Sequence, residues 1–413
     1  MSFPYAAMSH SLKRNIAFCF FSLAILFSCT PSRFSKAPNT FNAAVLLKES
    51  EKKVKLLVDN LNDTTFYPRN LKPNGEVGLS KRASWTVGFF PGILWNMYMQ
   101  TGKESWRKEA IKWNAALASN ATLRWRTHDL GFMMFNSFGK AYEATHEPIY
   151  RDIVLQCADS LALMYNENVG TTESWPWRKE WDHPTIIDNM LNIELLFWAA
   201  KNGGNPAYYQ IAEKHAFTTL KNHVRDDYTT WHVVDFDSET GVVKGKYTDQ
   251  GLADSSTWAR GQAWAIYGYV MTYRETGNKT FLTAAKKLTK AYIDKLPKDF
   301  IPFWDLDLPH NQNEVKDASA ACITASALLE LATMVEEKER AYYSKLALKT
   351  LTQLRNNHFN ESEDVPFLIK NCTGSKPHNS EINTSLIYAD YYFIEALMRL
   401  QKIESIQVHN AGK

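Results

Sequence analysis

Four times along the chain a helical stretch ends in a short turn, and an aromatic residue then opens the next helix. The turns are Thr101-Gly102-Lys103-Glu104-Ser105-Trp106, Ala144-Thr145-His146-Glu147-Pro148-Ile149-Tyr150, Asn202-Gly203-Gly204-Asn205-Pro206-Ala207-Tyr208 and Thr276-Gly277-Asn278-Lys279-Thr280-Phe281, with a fainter copy at 336–342. Gly fits the left-handed position that closes a helix, and Pro suits the first turn of the next. Each turn therefore joins two antiparallel helices. Residues 43–61 and 386–400 supply an early and a last helix, and apolar residues recur at helical spacing, as in Ala259, Ala263, Ile266, Tyr267, Val270 and Tyr273. Alternating runs are scarce; residues 231–236 are the best strand candidate. The pattern predicts an all-α chain whose hairpins close into one ring of inner and outer helices. A solenoid would show more regular repeats and lack long connections such as 218–257. Long connections in a compact domain tend to carry function.

The helix before each turn opens on a chemically loaded stretch. These are Ser84-Trp85-Thr86-Val87-Gly88-Phe89-Phe90-Pro91-Gly92, His128-Asp129-Leu130-Gly131-Phe132, Ile186-Ile187-Asp188-Asn189-Met190, Ser256-Thr257-Trp258-Ala259-Arg260-Gly261-Gln262-Ala263-Trp264 and Lys316-Asp317-Ala318-Ser319-Ala320. If the inner helices all run the same way, these stretches share one mouth and build one cleft. Taken singly, Asp129 and Asp188 read as helix caps. Both sit among apolar neighbours, however, and two close, partly buried carboxyls cannot both ionise easily, which keeps one protonated as a general acid. Helix N-termini favour the anion, so burial and mutual repulsion have to outweigh them. His128 and His232 show no His-x-x-x-His spacing and read either as structural histidines or as proton-handling groups. Arg260 is the only cation in its stretch, and its planar fork suits a carboxylate. Trp85, Trp175, Trp177, Trp258 and Trp264 are candidates for a wall that stacks on sugar rings, with one or two expected in the core.

The formal net charge of +3 gives no footprint for nucleic acid. An acidic ligand has to be held by a few placed cations. Lys13 and Arg14 precede an apolar run at 16–27 that ends Leu26-Phe27-Ser28-Cys29 and gives way to a polar stretch. That order resembles a bacterial lipoprotein leader, although Phe27 is larger than the residue usual there. It implies a signal peptide at 1–28, a lipidated Cys29 on a tether at 29–40, a domain at 41–405, and a place in the periplasm or on the cell surface. The five cysteines show no metal spacing, so neither a zinc site nor a disulfide framework is expected.

At the stretches Trp85-Thr86-x-Gly88-Phe89-Phe90-Pro91-Gly92, His128 to Phe132, Ile187 to Met190 and Asp254 to Trp264, the sequence resembles the unsaturated glucuronyl hydrolases, glycoside hydrolase family 88. The resemblance covers about residues 41–400. It implies an (α/α)6 barrel, a six-hairpin toroid forming a single catalytic domain without cofactor or metal. It also implies the substrates, oligosaccharides that lyases leave with a C4=C5 double bond on a terminal uronic acid. The implied step is hydration of that vinyl ether, with Asp188 as general acid and base and Asp129 orienting the sugar. Trp85, His128, His232, Gln250, Trp258, Arg260 and Trp264 are implied as binding residues, Arg260 being first choice for the substrate carboxylate. Residues 380–384 are expected at the rim. Alternatives are an unsaturated rhamnogalacturonyl hydrolase acting on pectin fragments, a sugar epimerase, which would lean on histidine pairs, and a lipid-anchored glycan-binding protein without turnover.

Overall fold

The computed structural model describes residues 41–61, 63–121, 127–310 and 313–411; the predicted leader, Cys29 and the tether lie outside them. From Phe41 onward the chain forms one compact unit. Six inner helical segments follow one another round a ring. They are α2 (Phe89–Thr101), a π-helical stretch (Gly131–Gly139) continuing as α4 (Lys140–Thr145), the broken pair α6 (Asn189–Asn192) and α7 (Glu194–Lys201), α9 (Ala259–Thr276), α11 (Ala318–Thr333) and α13 (Ile387–Ala411). Each packs on the next, and α13 packs back on α2, so the ring closes. Outside it lie α3 (Glu104–Leu117), α5 (Pro148–Ala162), α8 (Ala207–Asn222), α10 (Lys279–Asp294) and α12 (Glu337–Gln353). The sixth outer position is filled by the first helix, α1 (Ala43–Asp59), which packs against α13. The last described helix thus packs against the first, and the fold is the expected (α/α)6 barrel.

The inner helices are apolar on all sides because both the lumen and the outer ring cover them. Every residue of α11 from Ala318 to Ala332 is buried. The turns behave as predicted: Gly102 and Gly277 take left-handed conformations at φ +67° and +68°, each donating its N–H back into the helix it closes. In the second turn His146 takes this role, at φ 56°, and Pro148 opens the next helix. The sequence pattern understated the connections at the other end of the barrel. They carry a hairpin of β1 (Phe66–Leu71) and β2 (Val77–Lys81), a short pair of β3 (Tyr165–Asn166) and β4 (Thr171–Thr172), and an antiparallel sheet of β5 (His183–Ile186), β6 (Val233–Phe236) and β7 (Val243–Tyr247). Of these, only β6 shows enough β-branched and apolar residues to be visible in the sequence.

Neighbouring inner segments touch backbone to backbone. A methyl group on Gly131 would meet the Asn192 Cα at 2.5 Å. That approach lets the Asn192 Oδ1 accept the Phe132 N–H at 2.9 Å, tying the π-helical stretch to α6. Gly131→Ala is expected to cost about 1–3 kcal/mol through overpacking, read as a lower denaturant midpoint at unchanged slope.

Candidate active site

One cavity of about 260 Å³ opens where the inner helices begin. Trp85 reaches it from the turn before α2, His128 and Asp129 from the residues before the π-helical stretch, Asp188 from the start of α6, Trp258 and Arg260 from the start of α9, and Tyr388 from the start of α13. Residues more than 300 positions apart meet there because antiparallel hairpins point every inner helix the same way. Phe132 forms the floor and also lines a second cavity of about 800 Å³ at the opposite end of the ring, so the lumen is not continuous.

Asp188 stands at the N-cap position of α6 but its side chain caps nothing. Its Oδ2 lies 3.7 Å from the His232 Nε2, too far for a direct hydrogen bond, and neither atom has another partner among the described residues. The other ring nitrogen, Nδ1, accepts the backbone N–H groups of Asp249 at 3.1 Å and Gln250 at 3.3 Å. An acceptor role at Nδ1 places the single imidazole proton on Nε2, facing the carboxyl group. Burial, reinforced by Arg260, keeps His232 well below its usual pKa and hence neutral. Burial also pushes Asp188 up to about 7; Arg260 pulls it down and Asp129 pushes it up.

Asp129 is raised to about 7 by burial, opposed by the side chains of Asn192 and Thr127. Its Oδ1 lies 3.3 Å from the Nε2 of His128, which burial lowers to about 3 and leaves neutral. Two carboxyls thus share one cavity with neutral histidines beside them, and among the described residues no formal cation pairs directly with either. Each can hold a proton near neutral pH, as a group that both gives and takes one requires.

Arg260 departs from expectation. Its guanidinium is buried and its terminal N–H groups are committed: Nη1 donates to the Asp317 Oδ2 at 2.7 Å and to the Thr373 carbonyl, and Nη2 donates to the Gln250 Oε1 at 2.9 Å and to the Gly374 carbonyl. The fork predicted to grip a substrate carboxylate is occupied by the protein. It stacks between Trp258 and Tyr388, 4.6 and 5.4 Å from their centroids. Trp264 is a second correction: it is fully buried and packs on Phe132 and Tyr392, behind the cavity floor. At helical spacing its neighbours Trp258 and Arg260 face the mouth, and six residues along α9 the chain has already entered the core. Gln250 and Trp175 line the cavity; Trp177 is 57% exposed and does not.

The helical repeat gave no hint of Arg69, because it lies on β1 outside every hairpin. Its Nε and Nη2 grip both oxygens of Glu381 at 2.7 and 2.8 Å, and its Nη1 donates to the Ser84 hydroxyl. Arg69, Glu381, Ser375, His378 and Ser380 form one side of the mouth. Glu381 holds a left-handed φ of 54°, as do its neighbours Asn379 and Asn383 at 49° and 54°. The family resemblance points to residues 380–384 at the rim, but no residue pattern singles out Glu381 or its partner.

A carboxyl whose pKa is higher folded than unfolded opposes folding once the pH exceeds its unfolded value. The penalty grows from about pH 4 and is complete above about pH 7. Asp188→Asn is therefore expected to melt at a higher temperature than the parent at pH 8, with the difference vanishing at pH 4; equal melting at pH 8 would contradict the burial of a titrating carboxyl there.

Residues 58–404 match the family described as Glycosyl Hydrolase Family 88. An unsaturated glucuronyl hydrolase of Formosa agariphila is 43% identical over 77% of this chain and 80% of its own. Among solved structures, an unsaturated glucuronyl hydrolase specific for heparin superposes with a TM-score of 0.83 at 38% identity, covering 88% of this chain and 99% of that one. An unsaturated glucuronyl hydrolase responsible for the degradation of glycosaminoglycan, from Bacillus sp. GL1, superposes with a TM-score of 0.84 at 29% identity, covering 87% and 97%. Ring, cavity and similarity agree: the chain belongs to glycoside hydrolase family 88.

Proposed function

We propose that the protein removes the terminal 4,5-unsaturated uronic acid from oligosaccharides released by polysaccharide lyases, with Asp188 carrying the proton. The observation that supports this most directly is the pair of buried carboxyls in one cavity, both raised to near neutrality. The protonated Asp188 gives its proton to C4 of the vinyl ether, and positive charge develops at C5, shared with the ring oxygen. Water adds at C5 and surrenders a proton to the Asp188 carboxylate, restoring the acid. The C5 hemiketal then opens at its bond to the ring oxygen, leaving a ketone at C5 and a hemiacetal at C1. That hemiacetal collapses to an aldehyde and expels the aglycone as an alcohol. The glycosidic carbon is never attacked, so no second carboxylate is needed as nucleophile.

Asp129 would orient the sugar hydroxyls. Trp85 and Trp258 offer aromatic faces in the cavity wall. His232 presents a neutral Nε2–H toward Asp188, which suits an ordered water or sugar hydroxyl between them. The names of the relatives favour glycosaminoglycan fragments over pectin fragments. On a lyase-made unsaturated disaccharide, the protein is expected to abolish the conjugated ultraviolet absorbance, and Asp188→Asn to fold yet lose at least about 10²-fold in kcat. Wild-type-like turnover in that variant would remove Asp188 from the mechanism, and binding without loss of absorbance would make the protein a lectin.

The sequence order at the N-terminus supports lipidation of Cys29 and residence at the bacterial membrane surface, in the periplasm or outside. Metabolic labelling with a fatty acid is expected to mark the full chain and not Cys29→Ser; equal labelling of both would end the lipid-anchor reading.

A further inference from the structure

Four of the five loaded stretches place a side chain in the catalytic cavity. The fifth, Lys316 to Ala320, does not: Asp317 is fully buried, caps α11 through the Ser319 N–H, and lies behind the cavity wall. Both of its carboxylate oxygens are engaged. Oδ2 accepts the Arg260 Nη1–H at 2.7 Å, and Oδ1 accepts the Ser319 hydroxyl at 2.5 Å and the Thr373 N–H at 3.3 Å. The Arg260 guanidinium it binds holds Gln250 and the carbonyls of Thr373 and Gly374 at the mouth. One buried ion pair therefore connects α9, α11, the 248–257 loop and the rim.

We propose that Asp317 is a positioning residue for proton transfer at Asp188: by neutralising Arg260 it lets a cation stand in the cavity wall without drawing the proton off the acid. Among the described residues, Arg260 is the cation that pulls on the Asp188 proton, and it does so in a space where water screens little. The other groups facing Asp188 are Asp129 and His128 from the segment before the π-helical stretch, His232 from the residue just before β6 and Asp249 from the 248–257 loop. The Arg69–Glu381 pair, His378 and Tyr388 line the same cavity from β1, the rim and α13. Both histidines beside the carboxyls are neutral, and Arg69 is bound to Glu381 as Arg260 is to Asp317. Among the described residues, each arginine of this cavity thus carries its own carboxylate, leaving the substrate's charge and the proton on Asp188 to balance against paired ions.

The inference rests on Asp188 as the proton carrier. Removing the Asp317 charge leaves Arg260 uncompensated and favours the Asp188 anion, so less of the enzyme carries the reacting proton at neutral pH. Asp317→Asn is expected to move the alkaline limb of the pH profile of kcat/KM about one unit toward acid. Asp317→Glu should leave that limb in place, and in the double variant Arg260→Gln/Asp317→Asn it should lie at or above the wild-type position. A purely structural role would lower kcat at every pH with the limb unmoved, and that result overturns the proposal. Should the single Asn variant fail to fold, Arg260→Gln and the double variant carry the test. The limb of the former lies above that of the latter, and coincident limbs overturn the proposal. Were the premise wrong instead, Asp188→Asn would keep its turnover, whereas failure of the present inference leaves Asp188→Asn inactive.

Discussion

Antiparallel pairing of helices is the constraint from which the rest follows. Because each hairpin returns the chain to the same end of the ring, every inner segment starts at one mouth and presents its unpaired N–H groups there. Helix starts favour negative charge, so the same topology that gathers Asp129 and Asp188 would by itself keep both ionised. The opposite outcome, with both raised to about 7, comes from burial. The aromatic lining of Trp85, Phe132, Trp175, Trp258 and Tyr388 removes the water that would otherwise stabilise two anions. Protonation of the carboxyls in this cavity is a result of packing as much as of charge.

The ring and its polarity were legible in the sequence because they rest on local chemistry: a left-handed residue closing a helix, a proline opening one, apolar residues at helical spacing. The grouping of Trp85, His128, Asp129, Asp188, Trp258 and Arg260 followed from that polarity without any knowledge of distances. What lay beyond reach was long-range pairing. Whether Arg260 meets solvent, substrate or protein depends on Asp317 and the carbonyls of residues 373 and 374, more than fifty and one hundred positions away. Trp264 illustrates a subtler failure, since a motif that is continuous in sequence passes from the cavity into the core within two turns of helix. Arg69 was silent for a third reason: it stands on a hairpin strand that carries no part of the repeating pattern.

Buried ion pairs are costly to assemble and seldom improve stability over an apolar filling. The Arg260–Asp317 pair sits between two inner helices and the rim, where its value lies in geometry: besides the Asp317 carboxylate, one planar cation holds two adjacent backbone carbonyls of the rim and the Gln250 side-chain amide of a separate loop. The left-handed backbone at Asn379, Glu381 and Asn383 points the same way. Conformational strain in this rim is offset by bonds such as those from Arg69 to Glu381, and the mouth is thereby fixed before any ligand arrives.

Phe132 closes the floor of the cavity although a much larger space lies on its other side. A blocked lumen has a kinetic corollary. A sugar chain cannot thread the ring, so it must back out by the doorway through which it entered, and each cleaved fragment has to clear that doorway before another chain end docks. The closed floor thus gives the cavity the shape of a pocket for a chain end and not of a tunnel.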